Sequence, residues 1–139
     1  MKAFIAAILL TLCASAHAQR AVPCTPEVAT ITYPYLSGGW QNYGNGFAPV
    51  SFYKDTCSGR VYITGSIHMG LGIAFQLPPG YRPLDKQVFM GWSAYPTDAR
   101  PYAFIGIDGA GWVDVFTEAP PNTATPFVSL AGISFIAER

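Results

Sequence analysis

Charged side chains are scarce in this sequence. Asp, Glu, Lys and Arg make up 12% of its 139 residues, whereas a soluble domain usually contains about a quarter. The eight basic and eight acidic residues also balance, so no excess of positive charge is present to hold nucleic acid or an anionic membrane. Uncharged polar side chains, Tyr and Gly must therefore cover the surface, which is common in extracellular β proteins and in assemblies.

Histidine and the familiar catalytic motifs are nearly missing as well. Of the two histidines, His17 lies in the leader described below, which leaves His68 as the one candidate base. No Gly-x-Ser-x-Gly elbow is present, nor any Cys-x-x-Cys or His-x-x-x-His spacing, nor a phosphate loop that opens a helix. Ser66 and His68 fall on one side of a predicted strand, but we expect His68 at a strand end, exposed or hydrogen-bonded. We predict no enzyme, no metal and no cofactor.

Carboxylates supply the remaining catalytic alternative. A glycoside hydrolase needs two of them, roughly 5–10 Å apart, and Asp108, Asp114 and Glu118 surround one predicted hairpin. Asp108 is more simply a turn residue, and Asp114 alternates with valines, which places it on a solvent face. A small secreted glycoside hydrolase therefore stays an alternative rather than the main hypothesis.

The first 18 residues have the pattern of an export leader. Lys2 precedes an apolar run over residues 4–12, and Ala16-His17-Ala18 is the small-x-small pattern that signal peptidase accepts. We predict cleavage between Ala18 and Gln19, with a second possible site two residues earlier. The apolar run is far shorter than the roughly 20 residues that span a bilayer. The predicted location is secreted or periplasmic.

Cysteine is almost absent once this leader is removed. Cys13 leaves with it, and Cys24 and Cys57 remain. An even count in an oxidising compartment predicts one disulfide, which the chain-entropy model values at about 3–4 kcal/mol. Two buried free thiols are the alternative.

Short β-branched and aromatic stretches replace helical periodicity. The 14 Gly and 12 Pro interrupt any long helix. The sequence predicts an all-β domain, a single antiparallel β-sandwich with jelly-roll-like character and about seven to nine short strands. The domain covers residues 38–139, after an N-terminal arm over 19–37. The predicted strands cover residues 28–33, 47–54, 60–67, 73–77, 87–95, 102–107, 112–117, 127–130 and 133–137.

Two connections in this pattern have a defined shape. Residues 54–59 predict a hairpin turn in which Gly59 takes a positive φ. Residues 77–83, Leu-Pro-Pro-Gly-Tyr-Arg-Pro, cannot form a central strand because proline donates no ladder hydrogen bond. We expect a rigid loop there.

Aromatic side chains are the strongest sign of a ligand. The sequence has three Trp, eight Tyr and nine Phe, and exposed rings offer contact area at little cost in rotamer entropy. Trp92 and Phe135 lie in apolar strands and are expected in the core. Trp40 and Tyr43 lie in the polar loop around residues 38–46. For these two rings, a place in the core and a place on a ligand-binding surface are equal alternatives. The candidate ligand-binding residues are Trp40 and Tyr43 from that loop, and Tyr95, Asp98, Arg100 and Tyr102 from the connection over 95–102.

The order of several motifs resembles a known family. They are Gly39-Trp40, then Val61 to Gly65, then Phe75 to Pro83 with its Pro-Gly-Tyr-Arg core, and finally Ser129 to Phe135. This order is similar to the C-terminal β-sandwich head domain of phage tail fibres and related receptor-binding proteins, over residues 38–136. The resemblance implies a jelly-roll-like domain, often trimeric, that binds cell-surface carbohydrate or protein. It also implies that Pro78 to Pro83 and Leu130 to Phe135 are scaffold. An export leader and a missing fibrous stem depart from that family.

The resulting hypothesis is a secreted, non-catalytic binding module that recognises a cell-surface glycan or another surface receptor. We predict a homo-oligomer, a trimer, with a carbohydrate or protein receptor as partner and no nucleic acid. The alternatives are a structural component of a phage-derived or exported assembly, with a virion as the alternative location, and the hydrolase named above.

Overall fold

The computed structural model describes residues 30–94, 101–116 and 127–138. This part of the chain contains ten strands and no helix, and therefore no helix long and apolar enough to cross a membrane. The strands are β1 (Gln41–Asn42), β2 (Ser51–Asp55), β3 (Arg60–Thr64), β4 (Ser66–His68), β5 (Gly72–Gln76), β6 (Gln87–Trp92), β7 (Tyr102–Ile107), β8 (Trp112–Phe116), β9 (Val128–Ser129) and β10 (Ile133–Ile136).

The strands form three antiparallel sheets in a sandwich-like arrangement. One three-stranded sheet has the order β10-β3-β2, a second has the order β1-β4-β9, and the four-stranded sheet has the order β5-β8-β7-β6. In the four-stranded sheet, β7 pairs with β6 and β8 in continuous register, while a bulge between Ile73 and Phe75 interrupts the pairing of β5 with β8. The all-β prediction is confirmed.

Gly65 joins the two three-stranded sheets. It alone separates β3 from β4, the central strands of these sheets. Its φ is +100°, and a Cβ placed there would lie 2.5 Å from the carbonyl oxygen of Pro49. Only glycine allows both this φ and this approach. The strand predicted over 60–67 is thus two strands, which helps to raise the count to ten, slightly above the predicted seven to nine.

The core lies between the four-stranded sheet and the other two. Along β3, Val61 and Ile63 are buried while Tyr62 and Thr64 are partly exposed, which is the period of two expected for a half-buried strand. Phe89 of β6 meets Phe135 of β10 with ring centroids 6.2 Å apart. The largest fully buried side chains are Phe52, Phe75, Ile63, Ile67, Leu77, Ile105, Ile107, Leu130, Val50, Val61, Val113 and Val128.

The loop over residues 77–83 is held by hydrogen bonds from within and from β2. The Arg82 side chain donates from Nε to the carbonyl of Leu77 at 2.9 Å. The Lys54 ammonium of β2 donates to the carbonyl of Gly80 at 2.7 Å. These hydrogen bonds and the fixed φ of the prolines restrict the shape of the loop.

The turn between β2 and β3 is organised by Asp55. Its carboxylate accepts hydrogen bonds from the Ser58 hydroxyl at 2.7 Å and from the Cys57 N–H at 2.9 Å. Mainly the Ser58 hydroxyl, and then the Cys57 N–H, lower the pKa of Asp55 below its ordinary value of 3.8. Gly59 has a φ of +69°, as the sequence predicts.

Several predictions concern residues outside the described ranges. The leader over 1–18 with its Ala18–Gln19 cleavage site, and Cys24 as the partner of Cys57, stay predictions. The division between an arm over 19–37 and a domain over 38–139 is likewise untested. Within that arm, Thr32 forms an isolated antiparallel bridge with Phe52.

We expect Gly65→Ala to cost more stability than Gly132→Ala. Both glycines have positive φ, but a Cβ at Gly132 has no heavy atom within 4 Å. The Gly132 variant should lose about 1 kcal/mol of unfolding free energy from backbone strain. The Gly65 variant should lose about 1–3 kcal/mol more from overpacking. Denaturant unfolding measures both, and equal losses would contradict the role given to Gly65.

We expect Ser58→Ala to raise the pKa of Asp55 toward its ordinary value, as followed by NMR titration of the carboxyl carbon. Because the folded-state pKa of Asp55 is lowered, its stabilising effect is present above pH 3.8 and is lost as the pH falls through the lowered pKa. Wild type should therefore lose stability over this acid range, and Asp55→Asn should lose less. An unchanged pKa in the Ser58 variant would show that its hydroxyl is not the main cause.

Candidate functional site

The four-stranded sheet turns large apolar side chains to solvent. Along β6, Val88, Met90 and Trp92 are 62%, 69% and 57% exposed. The register places Met90 opposite Phe104 and Trp92 opposite Tyr102, and Phe104 opposite Phe116. We call this surface the aromatic face. It consists of Ile73, Val88, Met90, Trp92, Tyr102, Phe104, Trp112 and Phe116, each 40–69% exposed.

The aromatic face is large for the surface of one small domain. An aromatic side chain carries about 150–250 Å² of surface, so its five rings, about half exposed, contribute roughly 450 Å². The largest apolar patch on a typical monomer is about 300–600 Å² and is often functional. The three aliphatic side chains add to this area. The aromatic face is therefore a candidate interaction surface.

A cluster of rings extends the aromatic face beyond Trp92. Phe127 is buried, and its ring centroid lies 4.6 Å from that of Tyr43, 5.2 Å from that of Phe47 and 5.2 Å from that of Trp92. His68, at the end of β4, packs edge-on against Tyr43 with centroids 5.5 Å apart. Trp92 thus packs edge-on against Phe127, and the strand register places it opposite Tyr102.

A cleft of about 100 Å³ opens on the aromatic face beside the β7–β8 turn, where Ile73 and Trp112 line it. Gly106, which lies opposite Asp114 on β8 and Val88 on β6, lines this cleft without a side chain of its own. A Cβ there would lie 3.0 Å from Cε2 of Phe116. The cleft is lined by Ile73, Lys86, Gly106, Asp108, Trp112 and Asp114.

The polar side chains of the cleft differ in whether they have a hydrogen-bond or ring partner. Asp108 accepts the N–H of Trp112 at 2.9 Å through Oδ1, so this carboxylate shapes the β7–β8 turn, as predicted. Lys86 holds its ammonium 5.7 Å from the ring centroid of Phe116. Within the described part of the chain, Oδ1 of Asp114 is buried and has no hydrogen-bond partner. Asp114 lies on the outer side of its strand, as its alternation with valines predicts.

The structure places the ligand-binding candidates that the sequence predicts in different surroundings. Trp40 is only 3% exposed, and its Nε1 donates to the carbonyl of Gly72 at 3.1 Å. It belongs to the core and contributes no ligand surface. Tyr43 contacts Phe127, which in turn contacts Trp92, and Tyr102 lies opposite Trp92 on the neighbouring strand. Tyr95, Asp98 and Arg100 lie outside the described residues, and their role stays a prediction.

The expected burial of Trp92 was wrong, whereas Phe135 is buried at 3%. In β6 the inward positions are Phe89 and Gly91. A Cβ at Gly91 would lie 2.4 Å from the carbonyl oxygen of Ser129, so β9 packs directly against the β6 backbone. A glycine inside an apolar strand signals such a close approach. That signal in the sequence places Trp92 on the outer side.

A second concavity, a groove of about 840 Å³, runs between the start of β6 and β10. Three of its polar side chains, Arg60, Ser134 and Glu138, already have hydrogen-bond partners. Arg60 donates to the hydroxyl of Ser134 at 3.2 Å, and the Glu138 carboxylate accepts the N–H of Gly80 at 2.8 Å. The groove is therefore a weaker candidate than the aromatic face.

Metal-binding and catalytic groupings were searched for over residues 30–94, 101–116 and 127–138. No group of three or more His, Cys, Asp or Glu residues that could hold a metal occurs in these ranges. Ser66 is buried. His68, the one candidate base outside the leader, packs its ring against Tyr43. Glu118 lies outside the described residues.

Comparison with known proteins identifies the fold. No family model matches the chain, and no curated protein matches it. Among solved structures, it is similar to the receptor binding protein (gp15) of Listeria phage PSA, with a TM-score of 0.65 and 15% sequence identity. The match covers 80% of this chain and 66% of that chain. The resemblance to phage receptor-binding domains is thus confirmed at the level of the fold.

Proposed function

We propose that this domain is a non-catalytic module that binds a cell-surface receptor through the aromatic face. One observation carries the proposal: eight large apolar side chains stand 40–69% exposed on one side of a single sheet. Leaving this much apolar surface in water is unfavourable, and a partner that covers it makes the arrangement favourable. The fold supports the same role, because the similar phage structure is named as a receptor binding protein.

A glycan is the receptor class that we favour. Sugar rings present flat C–H surfaces that pack on aromatic side chains, while their hydroxyls need polar partners nearby. The aromatic face offers both, since Trp92, Tyr102 and Trp112 lie on the same side of the sheet as the cleft with Lys86 and Asp114. A protein receptor would use the same rings as anchors.

Export and assembly complete the proposal. The leader pattern over residues 1–18 supports secretion with cleavage between Ala18 and Gln19. The two remaining cysteines support a Cys24–Cys57 disulfide. The resemblance to tail-fibre head domains supports a homotrimer. Light scattering on the processed protein measures the oligomeric state, and non-reducing mass spectrometry measures the disulfide.

A structural role in an exported or phage-derived assembly is the second candidate. The aromatic face is also the observation that favours it, because a neighbouring subunit could cover these side chains permanently. The hydrolase alternative has less support, since Asp108 already serves the β7–β8 turn through Oδ1.

We expect Trp92→Ser to weaken receptor binding about tenfold or more, as loss of a large aromatic anchor usually does. Binding is measured with labelled protein on a microbial glycan array and on bacterial cells from several envelope types. Trp92→Phe should recover part of the affinity because it keeps a ring against Phe127.

Ile136→Ser is the matched control, because Ile136 is 53% exposed but lines the groove at β10. It should bind like wild type. Equal binding by both serine variants, with unchanged melting temperatures, would contradict the assignment of the aromatic face as the receptor site.

A further inference from the structure

Asp114 is placed in a way that folding alone does not favour. It lies in the middle of β8, where aspartate has low strand propensity. Its Oδ1 is buried without a partner in the described structure, and such an acceptor loses its water without regaining a hydrogen bond. Asparagine or threonine at this position would carry less of that penalty. The carboxylate therefore calls for an explanation outside the fold.

The cleft beside Asp114 has the size and shape to hold a small polar group. Its volume of about 100 Å³ has room for a few water-sized groups. Gly106 and Trp112 are among its lining residues, and the Phe116 ring lies close to Gly106. A ligand group of this size would enter the cleft while the rest of the ligand lies across the aromatic face.

The charges of the cleft narrow the ligand class. Two carboxylates, Asp108 and Asp114, disfavour an anion, and the Lys86 ammonium disfavours a cation. Together they offer acceptors and a donor within one small volume. A neutral polyhydroxylated ring matches this set, because each hydroxyl both donates and accepts. Its apolar face can pack on Trp112, which is 40% exposed.

We infer that the cleft is a subsite for one neutral sugar residue, in which a sugar hydroxyl donates a hydrogen bond to the Asp114 carboxylate that lines the cleft and the Lys86 ammonium donates to a neighbouring hydroxyl. This inference rests on the proposed receptor-binding function. It names a neutral sugar residue as the group of the receptor that the cleft recognises. Lys86 is exposed at the rim of the cleft, so its side chain can turn aside as the sugar enters.

Two-dimensional NMR of the full processed protein tests the subsite with free sugars as probes. Glucose, galactose, rhamnose and N-acetylglucosamine are the neutral probes, with glucuronate as the anionic and spermidine as the cationic comparison. At least one neutral sugar should perturb the amides of Gly106, Trp112 and Asp114, and the charged probes should not. Asp114→Asn should weaken this binding at least tenfold.

Stability gives the readout that separates a ligand-binding role from a structural one. Because Oδ1 of Asp114 has no hydrogen-bond partner in the described structure, Asp114→Asn should melt at the same temperature as wild type or higher. Asp85→Asn is the matched control, since it removes the same charge from an exposed position outside the cleft. It should leave both sugar binding and melting temperature unchanged.

Several outcomes would overturn the subsite. They are perturbation by spermidine instead of neutral sugars, unchanged affinity in Asp114→Asn, a lower melting temperature with unchanged binding, or no perturbation of the cleft by any neutral probe. If the protein still binds cells although no neutral sugar perturbs the amides of the cleft, the subsite is contradicted and the receptor-binding proposal stands. If the cleft binds a sugar but the protein binds neither cells nor the glycan array, the receptor-binding proposal is contradicted and the sugar subsite stands.

Discussion

The close packing of the β6 backbone against β9 determines which side of the four-stranded sheet meets solvent. The position of a Cβ at Gly91 is only 2.4 Å from the carbonyl oxygen of Ser129, so no larger residue fits there. Since side chains alternate along a strand, this contact directs Phe89 into the core and Val88, Met90 and Trp92 outward. Pairing with β7 and β8 extends the same orientation across the sheet. One backbone approach thus produces both the inner packing and the aromatic face.

A second glycine determines what the aromatic face can recognise. Any side chain at Gly106 would press on the Phe116 ring and the Lys86 side chain, since a Cβ there would lie 3.0 Å from Cε2 of Phe116 and 3.6 Å from Cε of Lys86. Without one, the Asp114 carboxylate and the Lys86 ammonium lie beside a cleft among the rings. Apolar area provides affinity for many partners, whereas a few placed polar groups provide selectivity. The geometry therefore combines a broad contact surface with one polar subsite.

The sequence predicts the layer architecture well because it depends on local signals. The alternation around Val61 and Ile63, the turn at Gly59 and the proline-rich loop over residues 77–83 all have the predicted form. The candidate site is predicted less well, because exposure depends on contacts between distant segments. Trp40 lies in a polar loop yet packs on Gly70 inside the core, and a Cβ there would lie 2.2 Å from the indole. Trp92 lies in an apolar strand yet is exposed, since Ser129 occupies the inner side.

Hydroxyl-radical footprinting tests the central claim most directly, because Met, Trp, Tyr and Phe side chains are among the most readily oxidised. The protein would be labelled with and without saturating cell-envelope material that it binds. Bound receptor should protect Met90, Trp92, Tyr102 and Trp112 together, while Tyr35, which is 90% exposed, and Met69 oxidise as before. Unchanged oxidation across the aromatic face, with protection confined to the groove around Leu84 and Ile136, would contradict the account.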